Sequence, residues 1–358
     1  MTSSSRYASA ADKYLSPAAA KDHVVAFSIS YQRDNMLARG MGLEHLNELL
    51  LRLGRYILRQ KGRLAYGGNW KDTEDNFMFP LLRLVSAEQQ DQSLDAAVAV
   101  GNPEQSDFDR DVRLYNHLPW PYYMDVTRNT EAQWINCCRI IRITQQRAGI
   151  PDAEVVPDAS ADQANPRTSF NKAVTLSAMR RLMMQPMFVD IPGVDKPKRI
   201  PPVTARILLG GKVDGYAGFL PGIFEEALTT WQSKRPVYIL GGFGGAAEVL
   251  ADAMLARGGD PPPELTLDWH KQRNPGLATL LDGARQFTVP SGLHDIEKSF
   301  EAVSEFVMQA RENLSDTLMT GLDEDQNREL LKTGNIANAV RLVRCGLDTS
   351  KNLPSSAG

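Results

Sequence analysis

Residues 206–254 decide the fold, and they read RILLGGKVDGYAGFLPGIFEEALTTWQSKRPVYILGGFGGAAEVLADAM. Two apolar runs, at 207–209 and 237–240, are each followed at once by two glycines, and each glycine loop leads into an amphipathic segment. The pattern predicts a strand, a loop and a helix, twice in succession. Such loops lie at the carboxyl ends of parallel strands, where glycine lets the backbone approach a ligand and free helix amides favour an anion such as phosphate.

The composition shows no global preference for charged polymers. Of the 358 residues, 42% are hydrophobic and 23% are charged, and the net charge of -3 argues against nucleic acid or an anionic membrane as a partner. No apolar run approaches the roughly 20 residues of a membrane span, and the N-terminus lacks a signal-peptide pattern. The three cysteines form neither a zinc spacing nor a disulfide framework. We therefore expect a cytoplasmic protein that contacts no membrane and no nucleic acid.

The same patterns place other strands and helices along the chain. Apolar runs at 23–30 and 63–66 predict strands, and the second is followed by Gly67 and Gly68. Helical spacing marks 43–60, 71–90, 131–147, 169–184 and 295–312, and two short terminal helices are predicted at 323–331 and 336–343. Residues 97–100 predict a further strand, whereas the prolines within 118–123 argue against a central strand there.

These elements predict one α/β domain, with a mostly parallel sheet flanked by helices on both faces. The domain is expected to span 21–347. Residues 1–20, rich in Ser and Ala, are expected to form a flexible lead-in, and residues 348–358 are expected to form a C-terminal tail.

Known motifs for phosphate, metal or nucleophile chemistry are matched only in part. Residues 241–245, GGFGG, supply part of the G-x-G-x-x-G spacing of dinucleotide-binding loops, and no G-x-x-x-x-G-K-[ST] sequence is present. No Ser-His-Asp arrangement can be read for Ser28 or Ser30. The five histidines have no carboxylate or cysteine at metal-ligand spacing. The sequence therefore predicts neither a metal nor a resident cofactor.

Two glutamates and two arginines have more than one possible role. Glu225 and Glu226 fall near the start of the helix that begins at about Pro221. A carboxylate there can bond a ribose hydroxyl, act as a general acid or base on a glycosidic bond, or complement the helix dipole. Arg180 and Arg181 can each clamp a phosphate through two hydrogen bonds, or form a solvated face of a helix.

Six segments together resemble the SLOG superfamily, the Rossmann-like domains related to the Smf/DprA proteins and to the Lonely Guy (LOG) phosphoribohydrolases. They are SISYQRD at 28–34, LAYGGNW at 64–70, MRRLM at 179–183, ILLGGKVDGYAGFLPGIFEEAL at 207–228, PVYILGGFGGAAE at 236–248 and GLDEDQNRELLKTGNIANAVRLVRCGL at 321–347. Within the superfamily the chain is similar to sensor-type SLOG domains. Those domains resemble the ligand domains of Thoeris antiphage effectors and melastatin-type channels.

The resemblance implies a pocket for a nucleotide derivative such as ADP-ribose, cyclic ADP-ribose or another NAD-derived signal, and a role in antiphage or stress signalling. Carried over by position, it implies that the pocket is lined by Ser28, Ser30, Gly67, Gly68, Arg180 or Arg181, Gly211, Lys212, Tyr216, Gly218, Pro221, Gly222, Glu225, Gly242, Phe243 and Gly244. The LOG enzymes carry PGGxGTxxE, whereas GFLPGIFEE at 218–226 keeps the glutamates and has Ile223 in place of the threonine. This departure favours a sensor over a hydrolase.

Two other functions stay open. The first is a nucleoside or nucleotide N-glycosidase that uses Glu225 or Glu226, and the second is a structural oligomerisation module. Sensor-type relatives are often fused to an effector module, and none fits in the residues outside the predicted domain. A sensor of this kind is therefore expected to act as a homo-oligomer or through a separate effector protein.

Overall fold

The computed structural model describes residues 23–71, 73–99, 112–162, 165–190, 197–293 and 295–350. Its strands are β1 Val24–Ser30, β2 Arg63–Tyr66, β3 Leu114–Pro119, β4 Cys138–Ile143, β5 Met187–Val189, β6 Lys198–Ile200, β7 Ala205–Gly210 and β8 Val237–Leu240. Six of them form one sheet in the order β4-β3-β2-β1-β7-β8, and all neighbours in it are parallel. Strands β5 and β6 form a separate antiparallel pair. The predicted α/β class with a parallel sheet is confirmed.

Helices cover both faces of the sheet. They are α1 Arg33–Leu37, α2 Leu43–Arg59, α3 Met78–Ala99, α4 Arg128–Trp134, α5 Pro166–Leu182, α6 Gly222–Gln232, α7 Gly245–Leu255, α8 Leu267–Arg273, α9 Pro275–Gln286, α10 Ile296–Glu312, α11 Leu314–Leu318, α12 Glu324–Lys332 and α13 Ile336–Ser350. In the ranges that the structure describes, no helix combines the length and the apolar character needed to cross a bilayer. The strand-loop-helix pairs predicted within 206–254 are present as β7 with α6 and β8 with α7.

The core consists of two apolar layers, one on each face of the sheet. Along β1, Val24 and Ala26 belong to one layer, and Val25 and Phe27 belong to the other. Helices α5, α6, α7 and α10 contribute to the first layer, whereas α2, α3 and α13 contribute to the second. A parallel sheet that is buried on both faces needs apolar side chains at successive positions, which explains the near-continuous apolar runs of β1, β7 and β8.

Two predicted elements are wrong. Residues 97–99 belong to α3 and not to a strand, and residue 100 lies outside the described ranges. The helix predicted over 131–147 ends at Trp134, and residues 138–143 form the strand β4. Periodicity alone does not separate a short buried strand from a buried turn of helix, and pairing with β3 decides the matter for β4.

Proline does not prevent a strand near 118. Pro119 is the last residue of β3, an internal strand between β2 and β4. At that end the missing amide removes little of the ladder, because the Trp120 amide resumes it by donating to the Ile143 carbonyl at 3.0 Å. The prediction that no central strand lies within 118–123 is therefore wrong for residues 118 and 119.

The predicted chain ends are described only in part. The lead-in at 1–20 and residues 351–358 lie outside the described residues. Helix α13 continues through Ser350, three residues beyond the predicted domain end at 347. Leu347 is buried in the second apolar layer, and the Thr349 hydroxyl donates to the Cys345 carbonyl at 2.9 Å. Packing and local bonding thus extend the last helix into the predicted tail.

Candidate functional site

The strand order reverses beside β1. From β1 the chain adds β2, β3 and β4 on one side of the sheet, and it later returns to place β7 on the other side. Loops that leave the strands on either side of such a reversal diverge and open a crevice at the carboxyl ends. A cleft of about 390 Å³ lies at this point, between the ends of β1, β2 and β7 and the helices α5 and α6.

Many of the residues named from the sequence line this cleft. They are Ser28, Ser30, Gly67, Gly68, Arg180, Gly211, Lys212, Tyr216, Gly218, Gly222 and Glu226. Pro221 is the N-cap residue of α6, which begins at the cleft. Arg181 and Glu225 instead line a second cavity on the other side of α5 and α6. Gly242, Phe243 and Gly244 are not among the residues that line either space.

The glycine loop after β8 packs against other parts of the chain. The Gly245 amide, at the start of α7, donates to Asn35 Oδ1 at 3.2 Å, so a side chain from α1 already occupies this helix end. A Cβ on Gly242 would overlap the backbone of Thr333, and Phe243 is fully buried. The glycines of this loop therefore provide room for protein contacts, and the loop does not form a wall of the cleft.

The turn after β7 brings the backbone close to α6. Gly210 and Gly211 have φ values of 66° and 93°, a region that side chains other than glycine rarely adopt. A Cβ on Gly211 would also overlap the side chain of Ile223 in the first turn of α6. Glycine at this turn therefore permits the close contact between the strand end and the helix that shapes one wall of the cleft.

Helix α6 presents its amino end to the cleft. Pro221 is its N-cap residue, no side chain from the described part of the chain caps it, and Gly222 and Ile223 line the cleft. The first amides of a helix have no partner within the helix and carry a partial positive charge. This end of α6 is thus able to receive an anionic group of a ligand.

Arg180 is a buried cation of the cleft. It lies in the last turn of α5, is only 8% exposed, and bonds Glu225 through Nη1. Its Nε lies 3.4 Å from Glu226 Oε1. Burial acts to lower the pKa of Arg180, but the carboxylates of Glu225 and Glu226 outweigh this effect and raise the pKa above its ordinary value. The side chain therefore stays a cation inside the protein.

One amino group of Arg180 has no hydrogen-bond partner among the described residues. Among the described residues no acceptor bonds Nη2, and a Cβ on Gly222 would lie 2.9 Å from it. The corresponding distance from Gly218 to Nη1 is 3.3 Å. A side chain at either position would crowd the guanidinium, so the two glycines allow it to lie beside the amino end of α6.

Arg206 contacts Ser28 and Glu226, two residues that line the cleft. It lies on β7, is 1% exposed, and donates through Nη1 to Ser28 Oγ at 3.0 Å. The same Nη1 is 3.5 Å from Glu226 Oε2, and Nε donates to Thr230 Oγ1 at 2.9 Å. Burial lowers the pKa of Arg206. With Arg180 and Glu225, these groups form a network of two guanidiniums and two carboxylates whose charges balance.

The opposite wall is the loop after β2, and Asn116 of β3 holds it in place. Asn116 is fully buried and accepts from Trp70 Nε1 at 2.7 Å. Its amide donates to the carbonyls of Tyr66 and Gly68 at 3.0 and 2.9 Å. Asn116 was not predicted as a site residue, because it lies on β3, a strand that was not predicted.

Two aromatic rings of the cleft were also not singled out from the sequence, although Tyr66 ends β2, a strand that was predicted. Tyr66 and Tyr122 line the cleft, and Tyr122 follows the end of β3. Burial raises the pKa of both phenols, so both are neutral at ordinary pH. The proline-rich sequence LPWPYY at 118–123 was the available signal, since it marks a strand end that turns into the cleft.

The loop 212–218 forms a further wall of the cleft. Lys212 is exposed at the cleft edge, and the Tyr216 ring lies edge-on to His270 of α8, with the ring centroids 5.4 Å apart. Asn274 Nδ2 donates to the Tyr216 carbonyl at 3.2 Å. Contacts with α8 and the residue after it therefore position the loop that carries the lysine.

The family model described as SLOG cluster2 matches residues 19–330. The chain belongs to this SLOG family. No curated protein matches the chain. The resemblance inferred from the sequence motifs is confirmed, and the parallel sheet flanked by helices agrees with the Rossmann-like fold expected of a SLOG domain.

Proposed function

We propose that this SLOG protein binds a phosphorylated nucleotide derivative in the cleft beside β1. The observation that carries the proposal is the placement of Arg180 Nη2 next to the open amino end of α6. A guanidinium and free helix amides that converge on one space are well suited to phosphate oxygens. Lys212 adds a second cation at the edge. Family membership supports a nucleotide-related ligand.

ADP-ribose, cyclic ADP-ribose and related NAD-derived molecules are the proposed ligand class. The cleft volume of about 390 Å³ falls in the range of small-molecule sites, about 300–1,000 Å³. Tyr66 and Tyr122 offer aromatic surface for a base, and Ser28 and Ser30 offer hydroxyls at the end of β1. Glu226 is placed to accept a hydrogen bond from a ribose hydroxyl.

Replacing Lys212 by Ala is expected to weaken binding of ADP-ribose by about tenfold, because one exposed charge-assisted contact to phosphate is lost. Adenosine, which has no phosphate, is expected to bind both proteins equally. Isothermal titration with ADP-ribose, cyclic ADP-ribose, AMP and adenosine measures both effects. Lys271→Ala, which removes an exposed lysine of α8, is the matched control and should leave all affinities unchanged. Failure of every nucleotide to bind the wild-type protein would refute the proposal.

Hydrolysis of an N-glycosidic bond is the second candidate, and Glu226 is the observation that favours it, because this carboxylate lines the cleft. However, Glu226 and Glu225 are already paired with buried guanidiniums, which supports binding over catalysis. We expect no free base when the protein is incubated with AMP, NAD or ADP-ribose and the products are separated by chromatography. Turnover by the wild type that Glu226→Gln abolishes would establish the enzyme instead.

A sensor also needs an output, and we propose self-association or a separate effector protein. Light scattering with and without ADP-ribose tests the first route. A ligand-dependent change in molar mass would support self-association. A constant monomer mass would contradict self-association and favour a separate effector protein.

A further inference from the structure

The second cavity is smaller and lies on the other side of the ion pair between Arg180 and Glu225. It encloses about 160 Å³ between α5, α6, α10 and the loop before α10. Leu220 lines both spaces, so they are neighbours in the molecule. Arg180 lines the cleft, whereas Glu225 lines the cavity. The cavity is therefore a separate space with its own lining.

Two polar groups of this cavity have no hydrogen-bond partner among the described residues. Ser177 is 2% exposed, and no described residue bonds its hydroxyl. The Nε of Arg181 is buried and likewise finds no acceptor in the described part of the chain. Ser177 and Arg181 are four residues apart on α5, so they lie on the same face of the helix, and both line the cavity. Because buried polar groups in proteins are nearly always bonded, two unpartnered donors in one cavity indicate a missing acceptor.

The rest of the lining restricts the chemistry of that acceptor. Met184, Leu228 and Leu293 supply apolar surface. Glu225 also lines the cavity, and its carboxylate bonds Arg180. A group with two negative charges would be repelled by Glu225, whereas a neutral group would leave the Arg181 charge without a counterion. A single carboxylate satisfies the guanidinium fork and the hydroxyl together.

We propose that this cavity binds a small monocarboxylate with a short apolar chain, held by Arg181 and Ser177. The volume of about 160 Å³ limits the ligand to a few carbon atoms beyond the carboxylate. The site is distinct from the nucleotide cleft and does not depend on the function proposed for that cleft.

Butyrate is the probe, and butyramide and inorganic phosphate are the comparison ligands. We expect saturation-transfer NMR and isothermal titration to detect butyrate binding, with butyramide at least about tenfold weaker, because a hydrogen bond to a charged group is lost. Phosphate binding in place of butyrate would overturn the carboxylate assignment. Equal binding of butyrate and butyramide, or no binding of butyrate, would overturn the site.

Substitutions at and away from the second cavity test whether butyrate binds there. Arg181→Gln should weaken butyrate by about tenfold or more, and Arg181→Lys, which keeps the charge without the fork, should retain part of the affinity. Lys212→Ala of the cleft and Arg285→Gln, an exposed arginine of α9, should bind butyrate as the wild type does. Unchanged butyrate affinity in Arg181→Gln would refute the site. Titration of the same proteins with ADP-ribose reports on the cleft separately, so the two proposals can fail independently.

Discussion

Replacement of Arg180 by Gln is expected to lower the free energy of unfolding by about 3–5 kcal/mol. The reason is that Glu225 and Glu226, both mostly buried, lose the guanidinium that bonds them, while desolvation still penalises their charges. Arg206 compensates only in part, since it reaches Glu226 alone, at 3.5 Å. Urea unfolding of the variant and the wild type measures the difference.

The binding role of Arg180 can be separated from its role in stability. Adding Glu225→Gln to Arg180→Gln removes one buried charge, so the double variant should recover much of the lost stability. It should still bind ADP-ribose at least about tenfold more weakly than the wild type, while adenosine binding is unchanged. Arg181→Gln, one residue away on α5, is the control and should bind ADP-ribose normally. Equal losses for ADP-ribose and adenosine would remove Arg180 from the phosphate site.

Acid is expected to destabilise the protein through His117. This residue of β3 is 2% exposed, and no residue in the described ranges forms a hydrogen bond with its Nδ1. Burial, with a smaller contribution from the charges of Arg206 and Arg147, lowers the pKa of His117 from 6.5 to about 3. Between these values the unfolded chain binds a proton that the folded protein excludes. The free energy of unfolding should therefore fall by about 2 kcal/mol between pH 8 and pH 5 on account of this residue.

Urea unfolding of wild type and His117→Gln at both pH values isolates the effect. The variant should lose about 2 kcal/mol less than the wild type on acidification, because its side chain does not titrate. Any cost of the substitution that does not depend on pH cancels in this comparison. Part of the dependence on pH should persist, since burial also lowers the pKa of His270. An identical pH dependence in both proteins would contradict the assignment.

The sequence was sufficient where a local pattern and the tertiary environment agree. In residues 206–254, apolar runs followed by glycines predicted β7, β8 and the helices after them, because strands buried on both faces need such runs. The fold class followed from such strand and helix patterns, and the family resemblance followed from these residues together with segments elsewhere in the chain. The position of the site at the carboxyl ends of β1, β2 and β7 is likewise a consequence of the parallel sheet.

The sequence was insufficient where a partner distant in the chain decides the structure. The isoleucines of β4 also fit one face of a helix, and pairing with β3 decides that the segment is a strand. The glycine-rich loop at 241–244 matches a phosphate motif in part, yet Asn35, more than 200 residues earlier, bonds the helix end beside it. No periodicity within either segment contains that information.

Within the site, the sequence determined which residue types are present, and only the tertiary structure decided which way they face. Arg180 and Arg181 are adjacent, as are Glu225 and Glu226, and neighbours on a helix point about 100° apart. That rotation places Arg180 and Glu226 at the cleft and Arg181 and Glu225 at the second cavity. The direction is set by how α5 and α6 pack on the sheet and on each other, and this packing depends on contacts among residues far apart in the chain.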